Sequence, residues 1–270
     1  MAGQVDTQAR RAEEGAMDRA TQQLGEALRA AERILIITGA GLSADSGLPT
    51  YRGVGGLYNG HTEDGLPIET ALSGPMLHLD PALCWKYLAE IGRACVTARP
   101  NAGHVAIAEL QRRKANCWVL TQNVDGYHLA AGSPPERLIE IHGTLSPLFC
   151  MACGEPSNEL NAHLNRPLPP RCGCGGVLRP PVVLFDEMLP ESALARLREV
   201  SARGFDAVVA VGTSASFAYI VEPLLRARHG GGFTAQIDPA ASELSLMVDV
   251  HVAARASDVL PQLVRHISDD

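Results

Sequence analysis

The stretch Ile34-Leu35-Ile36-Ile37-Thr38-Gly39-Ala40-Gly41-Leu42-Ser43-Ala44 decides the architecture. Its first four residues form a continuous β-branched and aliphatic run of strand length, the pattern of a strand covered on both faces in a parallel sheet. Small residues follow at once. Gly39, Ala40 and Gly41 allow a sharp turn and let backbone N–H groups approach a pyrophosphate at a helix N-terminus. A Gly-rich turn after a strand is also a common tight connection, so this piece alone fits either reading. The continuation Asp45-Ser46-Gly47-Leu48-Pro49-Thr50-Tyr51-Arg52-Gly53 packs a carboxylate, an aromatic ring and a guanidinium into one Gly- and Pro-bounded loop, a composition that usually serves a ligand.

Working outward, the apolar positions Met17, Ala20, Leu24, Leu28 and Ala31 predict a helix with one apolar face before the strand. Downstream, residues 53–100 read as an excursion, rich in Gly and Pro at first and helical around Pro81 to Ala94. Regular alternation resumes with a helix near Gly103 to Lys114 and strands at Trp118 to Thr121 and Leu138 to Ile141. Further β-rich runs lie at Val182 to Phe185, Ala207 to Val211 and Phe233 to Ile237, and a helix closes the chain from Asp258. Strands alternating with helical segments imply a doubly wound parallel sheet, interrupted by a cysteine-bearing region.

Bulk properties narrow the class. With 270 residues, 46% hydrophobic and 20% charged, the chain can bury one large core, or one large and one small. Aromatics at 4% leave Ala, Leu and Val to fill it. A formal net charge of -7 argues against nucleic acid as a partner, since no excess of Lys and Arg is available to displace phosphate counterions. No run of ~18 apolar residues predicts a membrane span. Glu13, Glu14 and Asp18 fit neither a secretory signal nor an acid-poor transit peptide, so the cytoplasm is the expected compartment.

Seven cysteines without an export signal make metal binding the better question than disulfides. Cys150-Met151-Ala152-Cys153 and Cys172-Gly173-Cys174 are two close pairs, suited to a tetrahedral Zn²⁺. A closed four-thiolate shell leaves no position for substrate, so such a metal would be structural; redox-active or free thiols are the alternative. Cys84, Cys95 and Cys117 stand apart and read as small buried hydrophobes.

Thr121-Gln122-Asn123-Val124-Asp125-Gly126-Tyr127-His128 begins where a predicted parallel strand ends, and ligands of open α/β sheets bind beyond those carboxyl ends. Its side chains suit hydrogen bonds to ribose hydroxyls and a carboxamide, although an Asn/Asp-rich turn with capping duties has the same composition. His142, past a short strand and before Gly143, is placed to titrate near neutral pH and move protons; an isolated His is also commonly structural. Gly212-Thr213-Ser214 and Ile237-Asp238-Pro239 end two further strands and are candidate cofactor contacts on the same sheet edge.

Taken in order, the segments 39–52, 121–125 and 141–143, the cysteine pairs and 212–214 resemble the sirtuin family in its bacterial form, over about Ala31 to Leu260. The resemblance implies a Rossmann-like domain binding NAD, in segments 1–53, 101–147 and 181–270. It also implies a small domain of helices, 54–100, and zinc ribbon, 148–180. An acylated lysine of a protein or peptide would lie between them. Gly39, Ala40, Gly41, Asp45, Thr50, Tyr51 and Arg52 would contact the cofactor, with Tyr51 where the family usually has Phe. Gln122 and Asn123 would hold the nicotinamide ribose and its water, Asp125 the carboxamide. Gly212, Thr213, Ser214 and Asp238 would complete the cofactor site, Asp238 replacing a customary Asn.

His142, with Asn123, would be catalytic: the imidazole helps deprotonate a ribose hydroxyl, so that the acyl group leaves on ADP-ribose and lysine is freed. Val183 and Phe185 would contact the acyl-lysine in a segment where an extended peptide adds as a strand, and Asp186 replaces a customary Gly there. Relatives that prefer succinyl or malonyl groups carry Tyr and Arg three apart on a small-domain helix. Here the aligned pair is Leu88 and Ile91, which implies an apolar tunnel for acetyl or longer uncharged groups. A protein ADP-ribosyltransferase using the same NAD site and a non-catalytic NAD-sensing module are the competing readings.

Overall fold

A computed structural model describes residues 17–49, 62–157, 160–265 and 267. Nine strands are present among them: β1 (Arg33–Thr38), β2 (Asn116–Thr121), β3 (Leu138–Glu140), β4 (Leu148–Cys150), β5 (Pro156–Ser157), β6 (Leu178–Arg179), β7 (Ala207–Val211), β8 (Phe233–Ile237) and β9 (Val250–Val252). Six pair in parallel in the order β3-β2-β1-β7-β8-β9, and β5-β4-β6 form a small antiparallel sheet. From β1 the chain builds β2 and β3 on one side, then returns to lay β7, β8 and β9 on the other. Strand order thus reverses at the β1/β7 boundary, where open α/β sheets form their ligand crevice.

The apolar run that opens the sequence is explained by burial on both faces. Ile34 and Ile36 point into one core with Leu24, Leu28, Ile107, Leu260 and Leu263. Leu35 and Ile37 point into the other, with Leu120, Leu197, Ile220 and Leu224. All four are fully buried, each contributing roughly 1.5–3 kcal/mol of transfer free energy. The helix over residues 17–30 docks on its own sheet through Leu24 and Leu28, and a Cβ at Gly25 would lie 3.3 Å from Leu263.

A separate core gathers Leu77, Trp85 and Leu88 from helices Gly74–Leu79 and Pro81–Thr97 with Leu148, Leu160, Leu178 and Leu184. Trp85 Nε1 donates to the Leu178 carbonyl at 2.8 Å, tying that helix to the small sheet. Among the described residues no helix is long and apolar enough to cross a membrane.

The β-rich run Val182 to Phe185 is not a strand of the main sheet, which corrects the expectation. It packs into the small core through Val182 and Leu184, making isolated bridges from Val182 to Gly143 and from Phe185 to Ser73. Its extended preference is met by single bonds to segments distant in sequence: Val183 N–H donates to the His142 carbonyl, and Phe185 N–H to that of Leu72. The closing helix, Ala256–Arg265, starts earlier than expected, and helix Pro81–Thr97 runs a turn longer.

Candidate active site

The registers of β1 with β2 and β7 align Thr38 with Thr121 and with Val211, so three chain segments emerge level from the sheet. Two of them touch backbone to backbone. Gly39 N–H donates to the Val211 carbonyl and Gly41 N–H to that of Gly212. Gly212 has φ +59°, and a Cβ on it would fall 2.2 Å from Leu42 N; one on Gly41 would fall 2.7 Å from Gly212 Cα. These glycines therefore serve first to let the turns after β1 and β7 cross. The short helix Ala40–Ala44 starts at Gly39 without a side-chain cap.

Beneath this crossing lies a buried polar floor. Ser43, 2% exposed, donates through Oγ to Asp125 Oδ2 at 2.6 Å and accepts from Asn123 Nδ2 at 3.1 Å. Asn123 also donates to the Gly39 carbonyl at 3.0 Å. Burial pushes the Asp125 carboxyl above its ordinary value, and the Ser43 hydroxyl and Tyr127 N–H partly offset this. His104 and His128 complete the floor, brought down by burial to about 4 and about 3, so both are neutral at physiological pH. His128 Nε2 lies 2.9 Å from Thr38 Oγ1, and His104 Nε2 lies 3.5 Å from Ser43 Oγ.

Gln122 bridges the strand ends, donating to Thr213 Oγ1 at 2.8 Å. Its carbonyl holds His142: Nδ1 is 2.9 Å away, and since a carbonyl only accepts, Nδ1 carries the hydrogen. Burial holds the His142 pKa below its usual value, against an opposing pull from that carbonyl. The ring is therefore neutral near pH 7, with its acceptor lone pair on Nε2. Tyr219 Oη stands 2.8 Å from Nε2.

Gly39, Gly41, Gln122, Asn123, Asp125, Thr213 and His142 thus form one contiguous cluster. Other predicted residues lie outside it. Asp45 accepts from Ser257 Oγ at 2.7 Å and fastens its loop to the closing helix. Asp238 accepts from Ala240 N–H at the end of β8, and Ser214 Oγ pairs with Ser216 at 2.9 Å. Thr50, Tyr51 and Arg52 fall outside the described residues. Ser43, His104 and Tyr219 were not singled out in the sequence; Ser43 stands inside the quoted glycine motif, the other two carry no local signal.

The segment 182–187 borders this cluster through His142. It is clamped by Arg179, which donates to Glu187 Oε1 at 2.7 Å and Oε2 at 2.9 Å, while Glu187 Oε2 accepts from Leu184 N–H at 2.9 Å. Asp186 sits at φ +63°, the left-handed region that a Gly would occupy without steric cost.

The four expected thiols converge: the sulfurs of Cys150, Cys153, Cys172 and Cys174 all lie within 4.8 Å of one another. Sulfur separations of 3.5 and 3.8 Å match the edge of a tetrahedron around an ion with Zn–S near ~2.3 Å, so the donor set fits one structural zinc. The one-residue spacer of the second pair does not prevent convergence. Cys84, Cys95 and Cys117 behave as expected of enclosed thiols, each pushed by burial to about 12.

A sequence model described as the Sir2 family matches residues 39–218. An NAD-dependent protein deacylase 2 of Pseudomonas aeruginosa is 68% identical over 245 residues, covering 90% of this chain and 96% of that protein. A protein of the same name from Pseudomonas syringae pv. tomato is 66% identical, covering 91% and 99%. A solved structure of a Sir2 homolog in complex with NAD superposes with a TM-score of 0.79 at 34% identity, covering 91% of this chain and 93% of that one. The crossing of two glycine turns, the four-thiol ribbon and relatives aligned nearly end to end give one answer: this chain belongs to the Sir2 family.

Proposed function

We propose that this protein is an NAD-dependent protein-lysine deacylase, releasing nicotinamide and leaving the acyl group on ADP-ribose. The observation that carries the reading is His142: a neutral imidazole beyond the strand ends, held by the Gln122 carbonyl through Nδ1, with its acceptor nitrogen meeting only the Tyr219 hydroxyl among the described residues. The relatives named as NAD-dependent protein deacylases support it. Bound NAD supplies an anomeric carbon with nicotinamide as leaving group. Gly39, Ala40, Gly41, Gln122, Asn123, Asp125, Gly212, Thr213 and Ser214 would hold it, with Asp45, Asp238, Thr50, Tyr51 and Arg52. Nε2 of His142 takes the proton of a ribose hydroxyl, and Asn123 orders the polar groups beside it. Val183 and Phe185 present the extended segment along which an acyl-lysine peptide lies.

In this reading residues 1–53, 101–147 and 181–270 form the cofactor domain, and 54–100 with 148–180 the small one. Uncharged acyl groups are the preferred substrates. Leu88 and Ile91 support this, since on helix Pro81–Thr97 they pack in the small apolar core and offer no charge to pair with an acidic acyl chain. The test incubates the pure protein with NAD and acetyl-, butyryl- and succinyl-lysine peptides and reads products by mass spectrometry. O-acyl-ADP-ribose from the uncharged peptides is expected. Faster turnover of the succinyl peptide overturns the acyl preference, and ADP-ribose on protein with little acyl-ADP-ribose makes the protein a transferase instead.

A further inference from the structure

Among the described residues Tyr219 is the one that touches the acceptor nitrogen of His142, and the proposed function does not use it. It stands in the first turn of helix Ala218–His229, just after the loop from β7. Phe217 stacks on it, with ring centroids 5.4 Å apart at 13°, and both rings stand edge-on to His142 at 6.1 Å. Tyr219 is half-buried, while Phe217 is 45% exposed, so the pair forms a wall open to solvent on one side. Burial pushes the Tyr219 phenol above its ordinary value, so it stays protonated and donates.

A neutral imidazole has a single acceptor lone pair. With Nδ1 committed to the Gln122 carbonyl, Nε2 can accept from the Tyr219 hydroxyl or from an incoming ribose hydroxyl, but not well from both. We propose that Tyr219 is a displaceable cap on the base, filling the hydrogen-bond position on His142 Nε2 that a cofactor hydroxyl takes on binding. This rests on the reading of His142 as the base. Tyr219 is then a positioning residue, acting through His142. In the free enzyme it fixes the Nδ1–H tautomer and stabilises the neutral ring, which lowers its basicity. When the sugar arrives the phenol yields, and NAD affinity carries the cost of breaking that bond.

The test uses full-length, zinc-loaded protein as wild type, Y219F, H142A and the double variant, with NAD binding measured by calorimetry. Removing one neutral hydrogen bond that binding must break tightens NAD roughly 2- to 10-fold in Y219F. The same substitution in the H142A background changes nothing, because the phenol no longer has its partner. In Y219F the His142 imidazole, followed by nitrogen NMR without ligand, titrates at higher pH than in wild type. The acid limb of kcat/KM for NAD, which reports the free enzyme, moves the same way, while that of kcat stays in place. The cap is overturned if Y219F loses kcat at unchanged KM, which would put the phenol in the proton path. It is equally overturned if affinity and titration are unmoved, or if the gain persists without His142. Because binding and titration need no turnover, they decide the cap even if wild type proves inert on every acyl-lysine peptide, a result that would sink the deacylase reading alone.

Discussion

Replacing Glu187 by Gln keeps the shape of the clamp on the segment 182–187 and removes its charge. Arg179 makes two short bonds to Glu187, and the two side chains are 13% and 22% exposed. An exposed pair contributes about 0–1 kcal/mol and breaking a fully buried one costs about 3–5 kcal/mol; exposures of this size place the loss at about 2 kcal/mol. For a chain of this length that lowers Tm by about 4–8 °C at pH 7. Burial raises the Glu187 carboxyl, but Arg179 and the Leu184 N–H prevail and hold it below its ordinary value. Its folded pKa is depressed, so its stabilisation is complete above the unfolded value of about 4.3 and is lost as pH falls below that. The gap between wild type and variant should therefore be widest near neutrality and close below about pH 4. Differential scanning fluorimetry across pH reads this. Leu184 N–H also loses a charged acceptor, so KM for an acyl-lysine peptide rises with little change in KM for NAD. A variant within about 0.5 kcal/mol of wild type at pH 7, the scale of an ordinary surface change, with unaltered peptide KM, would refute the clamp.

His142→Ala should lower deacylation by about 10²- to 10⁴-fold while the protein melts within a few degrees of wild type; turnover at the wild-type rate removes its assignment as base. Elemental analysis should find one zinc per chain. Stripping it with a chelator should open the four-thiol ribbon and red-shift Trp85 emission, because Trp85 is anchored on Leu178, while the circular dichroism of the main sheet survives; an unchanged spectrum after metal removal counts against a structural ion. Glu140 is pushed up to about 7 by burial and by the nearby Asp125. Its folded pKa lies above the unfolded one, so the native state binds the extra proton and stability falls as pH rises from about 4.3 through 7. Glu140→Gln escapes this, and its Tm relative to wild type should be higher at pH 8 than at pH 5; a constant offset at both argues against the raised pKa.

The parallel strands were legible because burial on both faces forces β-rich apolar runs that a turn residue then ends: Ala207–Val211, ended by Gly212, and Phe233–Ile237, ended by Asp238-Pro239, lie where those runs lie. The ribbon strands Pro156–Ser157 and Leu178–Arg179 are too short to show any period, and Val250–Val252 is three residues long. Val182 to Phe185 misled because β-branched composition reports extended backbone, not sheet membership. At the site, Gln122, Asn123, Asp125 and His142 were legible from their position after strands. What joins them was not: Ser43 meets Asp125 across 82 positions and Tyr219 meets His142 across 77, pairings that only the assembled sheet creates.

His142 turns its ring to Tyr219 and its main-chain oxygen to Val183 N–H; in the proposed function the first faces the sugar and the second the peptide. On that reading one residue would be a hinge pin shared by two ligand sites, and a chain that tugs on Val183 would also tilt the imidazole. Thermodynamic reciprocity then fixes the traffic in both directions: by whatever factor a docked polypeptide sharpens dinucleotide affinity, the dinucleotide sharpens the grip on the polypeptide.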